Sequence, residues 1–151
     1  MSSIEEILQK DGRLIYTIKG VSMLPMLRQN RDIVVISVPE RRLKKYDVAL
    51  YKRGKAYVLH RVIRVRENGY LIRGDNTYAL EDVPDSAVIG VLTGFTRKGK
   101  AISVDNPAYR RYARFWHAVY PVRAFYVKVR RRLGRLARKL GIKRPGRKTL
   151  A

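Results

Sequence analysis

The chain has 151 residues, with 34 Lys or Arg against 12 Asp or Glu and a formal charge of +22. That length makes one domain with room for an appendage, and that charge directs it toward polyanions: nucleic acid, an anionic membrane face or an acidic partner. The absence of cysteine excludes disulfides and thiolate metal sites, and two histidines among scattered acids argue against any metal centre or cofactor.

The first ten residues hold Glu5 and Glu6 and no long apolar run, unlike a secretory signal. No stretch approaches the roughly 20 apolar residues that span a bilayer. A cytoplasmic protein, soluble or peripheral at the inner membrane face, is the expectation. The first element is a short helix. Ser2 with Glu5, or Ser3 with Glu6, fits a capping box, and Asp11-Gly12 should end it.

From Arg13 to about Val104 the pattern turns strand-like. Residues 14–19 alternate apolar and polar, 33–38 form a β-branched run, and 48–51 form another, cut off at Arg53-Gly54. The longest run covers 56–65. Asn68-Gly69 then gives a two-residue hairpin signal, and 70–73 should return antiparallel. Residues 88–96 and 101–104 flank Lys98-Gly99-Lys100 as a second hairpin. Short strands with frequent turns predict a mainly β fold, a coiled antiparallel sheet or partial barrel.

The composition shifts at Asn106-Pro107. Beyond it lie 15 Lys or Arg and no acid, so the positive excess is concentrated in the tail. Pro121 divides the helical pattern there. After it, Val122, Tyr126, Val129, Leu133, Leu136 and Leu140 recur at three- and four-residue steps, as one apolar helix face. Gly141 is a plausible stop. The expected organisation is a β domain over 1–106, a basic amphipathic helical tail over 107–142 and a disordered basic end over 143–151. Three uses of the tail stay open. Its seam can pack on the β domain, lie on an anionic membrane surface, or let interleaved arginines and tyrosines grip nucleic acid, for which no recognition motif is visible. His117 lies in this tail with no nearby acid, as a structural histidine would.

Three segments carry potential chemistry. Gly20-Val-Ser-Met-Leu-Pro25 sets Ser22 between a glycine and a proline. Gly20 permits a tight turn or close approach of a substrate backbone, and Pro25 fixes the loop. Amides around Ser22 can then form an oxyanion hole. His60 sits in an alternating strand, sharing a face with Val58 and Val62. Its imidazole suits a general base. Gly74-Asp75-Asn76 is a turn bearing a carboxylate, and Glu81, Asp82 and Asp85 follow it. Serine, histidine and carboxylate are what a hydroxyl nucleophile needs. Taken singly, each segment also has a plainer reading: an ordinary turn, a half-buried ring and an Asx-turn.

Taken together, the segments resemble the signal peptidase I superfamily. Residues 20–27, Gly-Val-Ser-Met-Leu-Pro-Met-Leu, resemble its nucleophile box, Gly-x-Ser-Met-x-Pro-x-Leu. Arg31-Asp32-Ile33-Val34 and Tyr46-Asp47-Val48-Ala49 resemble its following Gly-Asp boxes, with Arg31 and Tyr46 replacing the glycines. Leu59-His60-Arg61-Val62-Ile63 and Gly74-Asp75-Asn76 match the boxes of its serine–histidine branch, and Val88-Ile89-Gly90-Val91 resembles its late strand. The likeness covers roughly residues 14 to 96. It implies a serine endopeptidase on a β-rich catalytic core, without metal or cofactor, cleaving a precursor or leader peptide. Ser22 would be the nucleophile and His60 the base, with Gly20, Met23 and Pro25 against the substrate. Asp75 is the first choice for the acid and Asp82 the rival orienter of His60, with Glu81 beside it. A preference for small side chains before the scissile bond is also implied. Signal peptidases carry a transmembrane anchor that this sequence does not show, so a cytoplasmic substrate is expected. The alternative is a non-enzymatic basic module that binds anionic membrane or nucleic acid.

Overall fold

The computed structural model describes residues 3–139. Helix α1 (Ile4–Asp11) starts on the Ser3 register of the capping box. The Glu6 amide donates to Ser3 Oγ at 3.2 Å, and the Ser3 amide donates to Glu6 Oε2 at 3.0 Å. Gly12 ends the helix with φ of +66°. Such reciprocal bonds satisfy donors that a helix start leaves open.

Eight strands follow: β1 (Arg13–Thr17), β2 (Ile33–Ser37), β3 (Val48–Arg53), β4 (Ala56–Arg66), β5 (Gly69–Arg73), β6 (Glu81–Pro84), β7 (Val88–Arg97) and β8 (Lys100–Ser103). They form one antiparallel sheet in the order β1-β2-β7-β3-β4-β5-β6, with β8 paired to the far end of β7. The sheet curls into a half-barrel, so the expected mainly β, coiled architecture is what the chain adopts. Register shifts sit between Val35 and Ile36, Leu50 and Tyr51, and Val62 and Arg64. Bulges of this kind bend a strand and increase its twist. Strand β6 has no counterpart in the sequence reading. Its four residues, Glu-Asp-Val-Pro, include two acids and a proline and carry no β signal. It forms because β5 offers an open edge beside it.

Each face of the sheet has its own core. On β3, Val48 and Leu50 enter one cluster, with Leu8, Met23, Met26, Leu27 and Phe95. Ala49 and Tyr51 enter the other, with Leu43, Val62, Tyr70, Ile72 and Val83. This is the two-residue period of a strand with both sides covered. It also explains why β4 buries successive polar residues, His60 at 4% exposure and Arg61 at 1%.

Helix α2 (Pro107–Ala118) begins with Asn106 Oδ1 accepting from the Ala108 amide at 2.8 Å. It buries Tyr109 and Ala113. Two compact units divide at Met1–His117 and Ala118–Ala151. The composition shift at 106 therefore precedes the structural division, because α2 shares the tail's charge but supplies Tyr109 to the core of the β domain. Helix α3 (Tyr120–Lys139) carries Pro121 in its first turn, where no intrahelical N–H bond is forfeited. Leu140 of the expected seam, the expected stop at Gly141 and the basic end at 143–151 lie outside the described residues. No described helix is long and apolar enough to cross a membrane.

Candidate active site

Ser22 lies in the turn after β1, partly buried. Gly20 opens that turn with φ of +87°, a conformation L side chains rarely adopt. The Gly20 amide donates to Gln29 Oε1 at 3.0 Å. Met23, Met26 and Leu27 anchor the turn in the core. The Gly74-Asp75-Asn76 turn clasps it from the other side. The Asn76 amide donates to the Ser22 carbonyl at 2.7 Å, and Asn76 Nδ2 donates to the Val21 carbonyl at 3.1 Å.

His60 enters from the middle of β4. Its ring and the Ser22 backbone converge on Gly74. A Cβ at that glycine would lie 2.7 Å from the Ser22 carbonyl oxygen and 2.9 Å from His60 Nε2. Only a hydrogen at this position lets the two segments approach so closely. Ser22 and His60 both line one cleft of about 420 Å³, with Gly20, Met23, Tyr57 and Glu81 among its walls. Pro25 is exposed on the outer side of the turn and is not part of that lining, contrary to its expected substrate contact.

The other ring nitrogen is held by two groups. Tyr51 Oη lies 3.2 Å from His60 Nδ1, and Glu81 Oε1 lies 3.3 Å from it. Tyr51 also donates to Glu81 Oε2 at 2.9 Å, and Arg53 donates to both Glu81 oxygens at 3.0–3.1 Å. An acceptor pair beside Nδ1 favours the tautomer with its proton there, which leaves the Nε2 lone pair toward the cleft. Burial pushes the His60 pKa below its ordinary value against the opposing pull of Glu81, so the resting ring is neutral. Burial disfavours ionisation of Glu81, but bonds from Tyr51 and Arg53 outweigh it and hold the carboxyl below its usual range. Burial, reinforced by Glu81, raises the Tyr51 phenol, which stays a neutral donor.

The acid beside His60 is thus Glu81, neither of the two the sequence placed first. Strand parity decides this. In the β5–β6 register Glu81 faces Ile72 and Val83 faces Tyr70, on the side that also carries Tyr51 and Val62. Asp82, one residue on, points to the opposite side and pairs with Arg66 at the surface. Asp75 is close by but committed elsewhere. Arg61 grips it through Nε at 2.7 Å and Nη2 at 2.8 Å, and Tyr112 donates to it at 3.2 Å. Trp116 Nε1 donates to the Asp75 carbonyl at 2.9 Å. Asp75 therefore secures the turn that clasps Ser22. Sequence reading missed Tyr51, which looks like an ordinary strand residue, and Arg53, which it placed in the turn that ends the strand, because only the pairing of β3 with β4 brings them to His60. His117 lies against the Tyr46 ring, away from the cleft, with burial and nearby cations lowering its pKa.

The cleft has one further feature. Strand β4 pairs with β5 only from Arg61 onward, so Tyr57–His60 is flanked by β3 alone. Across this edge lie Ile18, Lys19 and Gly20. An adjoining cavity of about 240 Å³ is lined by Leu14, Ile18, Val34, Ile36, Leu50 and Leu59. Such an arrangement can receive an extended peptide by strand addition, with an aliphatic side chain in the cavity. No family model matches the chain, and no curated protein matches it.

Proposed function

We propose that this protein is a serine endopeptidase of the signal peptidase I type, in its serine–histidine branch, which cleaves a precursor or leader peptide. The observation that carries the reading is the His60 ring. Tyr51 and Glu81 hold Nδ1, while Nε2 and the Ser22 carbonyl both lie against Gly74 on the wall of one cleft. This ring orientation, and the Nδ1–H tautomer it favours, support a general-base role toward Ser22.

In the reaction, the Ser22 hydroxyl donates to Nε2, a bond of the kind that substrate binding commonly tightens. Its proton passes to Nε2 as Oγ bonds to the scissile carbonyl carbon. The imidazolium then faces the Glu81 carboxylate, which stabilises it. The carbonyl oxygen becomes an oxyanion. Among the described residues the Ser22 and Met23 amides make no protein hydrogen bond, which supports their use as its donors. One such donor is typically worth about 3–4 kcal/mol of barrier. Collapse breaks the C–N bond, and Nε2–H gives its proton to the departing amine. A water deprotonated by His60 then attacks the acyl carbon, the ester bond to Ser22 breaks, and Nε2–H returns its proton to Ser22 Oγ. The unpaired β4 edge supports an extended substrate, and the apolar cavity supports an aliphatic residue on it, larger than the small side chains the resemblance implies.

A fluorophosphonate probe tests the reading. Native protein should be labelled, Ser22→Ala should not, and His60→Ala should react at least about 10²-fold more slowly. Equal labelling of native protein and Ser22→Ala would dispose of the proposal.

A further inference from the structure

We propose that α3 is a membrane-surface helix that seats its apolar seam in an anionic lipid leaflet. At about 100° per residue, Val122, Phe125, Tyr126, Val129, Leu133 and Leu136 fall in one sector about 100° wide. The helix has eight Lys or Arg over its 20 residues and no acid, and the six up to Arg135 all fall outside that sector. The seam is bare: Val122 is 70% exposed, Phe125 69% and Leu133 60%. A narrow apolar stripe, a cationic remainder and low overall hydrophobicity describe a helix lying in the interface plane. Arginines and lysines flanking the stripe then reach the phosphates and carboxylates of the headgroups.

Charge and shape choose this occupant over two others. A second copy of the helix, laid seam to seam, would bring two cationic rims together and repel. Nucleic acid would satisfy the cations but leave six apolar side chains in water, since phosphate contacts need no such seam. An anionic leaflet engages both halves of the pattern at once. The inference does not depend on the peptidase reading.

The test uses the full chain with vesicles of phosphatidylcholine alone and vesicles in which about a third of the lipid is phosphatidylserine. Flotation should show at least about 10-fold stronger binding to the anionic vesicles, falling as salt rises. The chain lacks cysteine, so Leu133→Cys and Arg135→Cys each accept a single environment-sensitive fluorophore. The label at Leu133→Cys should shift to the blue on anionic vesicles, and the label at Arg135→Cys should not. Val129→Ser with Leu133→Ser should weaken vesicle binding about 10-fold. Three results would overturn the proposal: no preference for anionic vesicles, binding that the label at Leu133→Cys does not sense, or duplex RNA binding tighter than vesicle binding and indifferent to the serine substitutions.

Discussion

At the scale of single residues, the site turns on which acid meets Nδ1 of His60. Glu81 and Asp82 are neighbours in sequence, similar in chemistry and opposite in placement. One lies 3.3 Å from the ring, and the other pairs with Arg66 at the surface. Glu81→Gln should keep the Tyr51 contact but lose the charge that stabilises the imidazolium. Peptide cleavage should drop about 10²-fold in kcat, with little change in KM. Asp82→Asn should cleave within about twofold of native, as surface substitutions leave such sites undisturbed. Equal losses in the two variants would show that parity on β6 does not assign the acid.

Among the elements, the Arg61–Asp75 pair joins β4 to the turn that clasps Ser22. Helix α2 adds Tyr109, Tyr112 and Trp116 to the same network. Burial alone would lower the Arg61 pKa, but the Asp75 carboxylate more than reverses that, and the guanidinium stays charged. Asp75→Asn leaves this cation buried without its counter-charge. Breaking a buried pair this way costs about 3–5 kcal/mol, and urea denaturation should show a loss of that size. A change below about 1 kcal/mol would mean that water reaches the pair. A second coupling concerns Tyr46, which stands where the resembled family has glycine. It adopts φ of +80°, a backbone suited to glycine. Its amide donates to the Val62 carbonyl at 2.9 Å, its carbonyl accepts from Arg61, and its ring meets His117 and Lys45. These contacts offset the strain.

For the molecule as a whole, both histidines report on acid stability. Burial comes first among the causes that lower each pKa. In the unfolded chain each titrates near its ordinary value of about 6.5. The folded form therefore binds fewer protons than the unfolded form just below that value. The corresponding stability is complete above pH about 6.5 and is lost as pH falls through the lower folded values. Melting temperature should be flat near pH 7–8 and decline on acidification below about 6.5. If His60 is the base as proposed, kcat/KM for a peptide should rise with pH along a limb centred below the ordinary histidine value, since only the neutral ring can accept the proton. A melting temperature that increased on acidification through this range would contradict neutral rings at His60 and His117.

Read alone, the sequence determined the curled β class, a capping box at the start of α1 in one of two registers, the serine turn, His60 on a strand and the amphipathic seam of α3. Each follows from local chemistry: period-two alternation, glycine and proline punctuation, or helical spacing. Tertiary structure alone decided which carboxylate lies beside His60, because β6 has no strand signal of its own and exists only by pairing with β5. The same pairing decided that Asp75 goes to Arg61, and the folding of α2 onto the sheet moved the unit boundary past the change in composition. Parity across a sheet and contact between distant segments depend on register, and register is a property of the assembled strands.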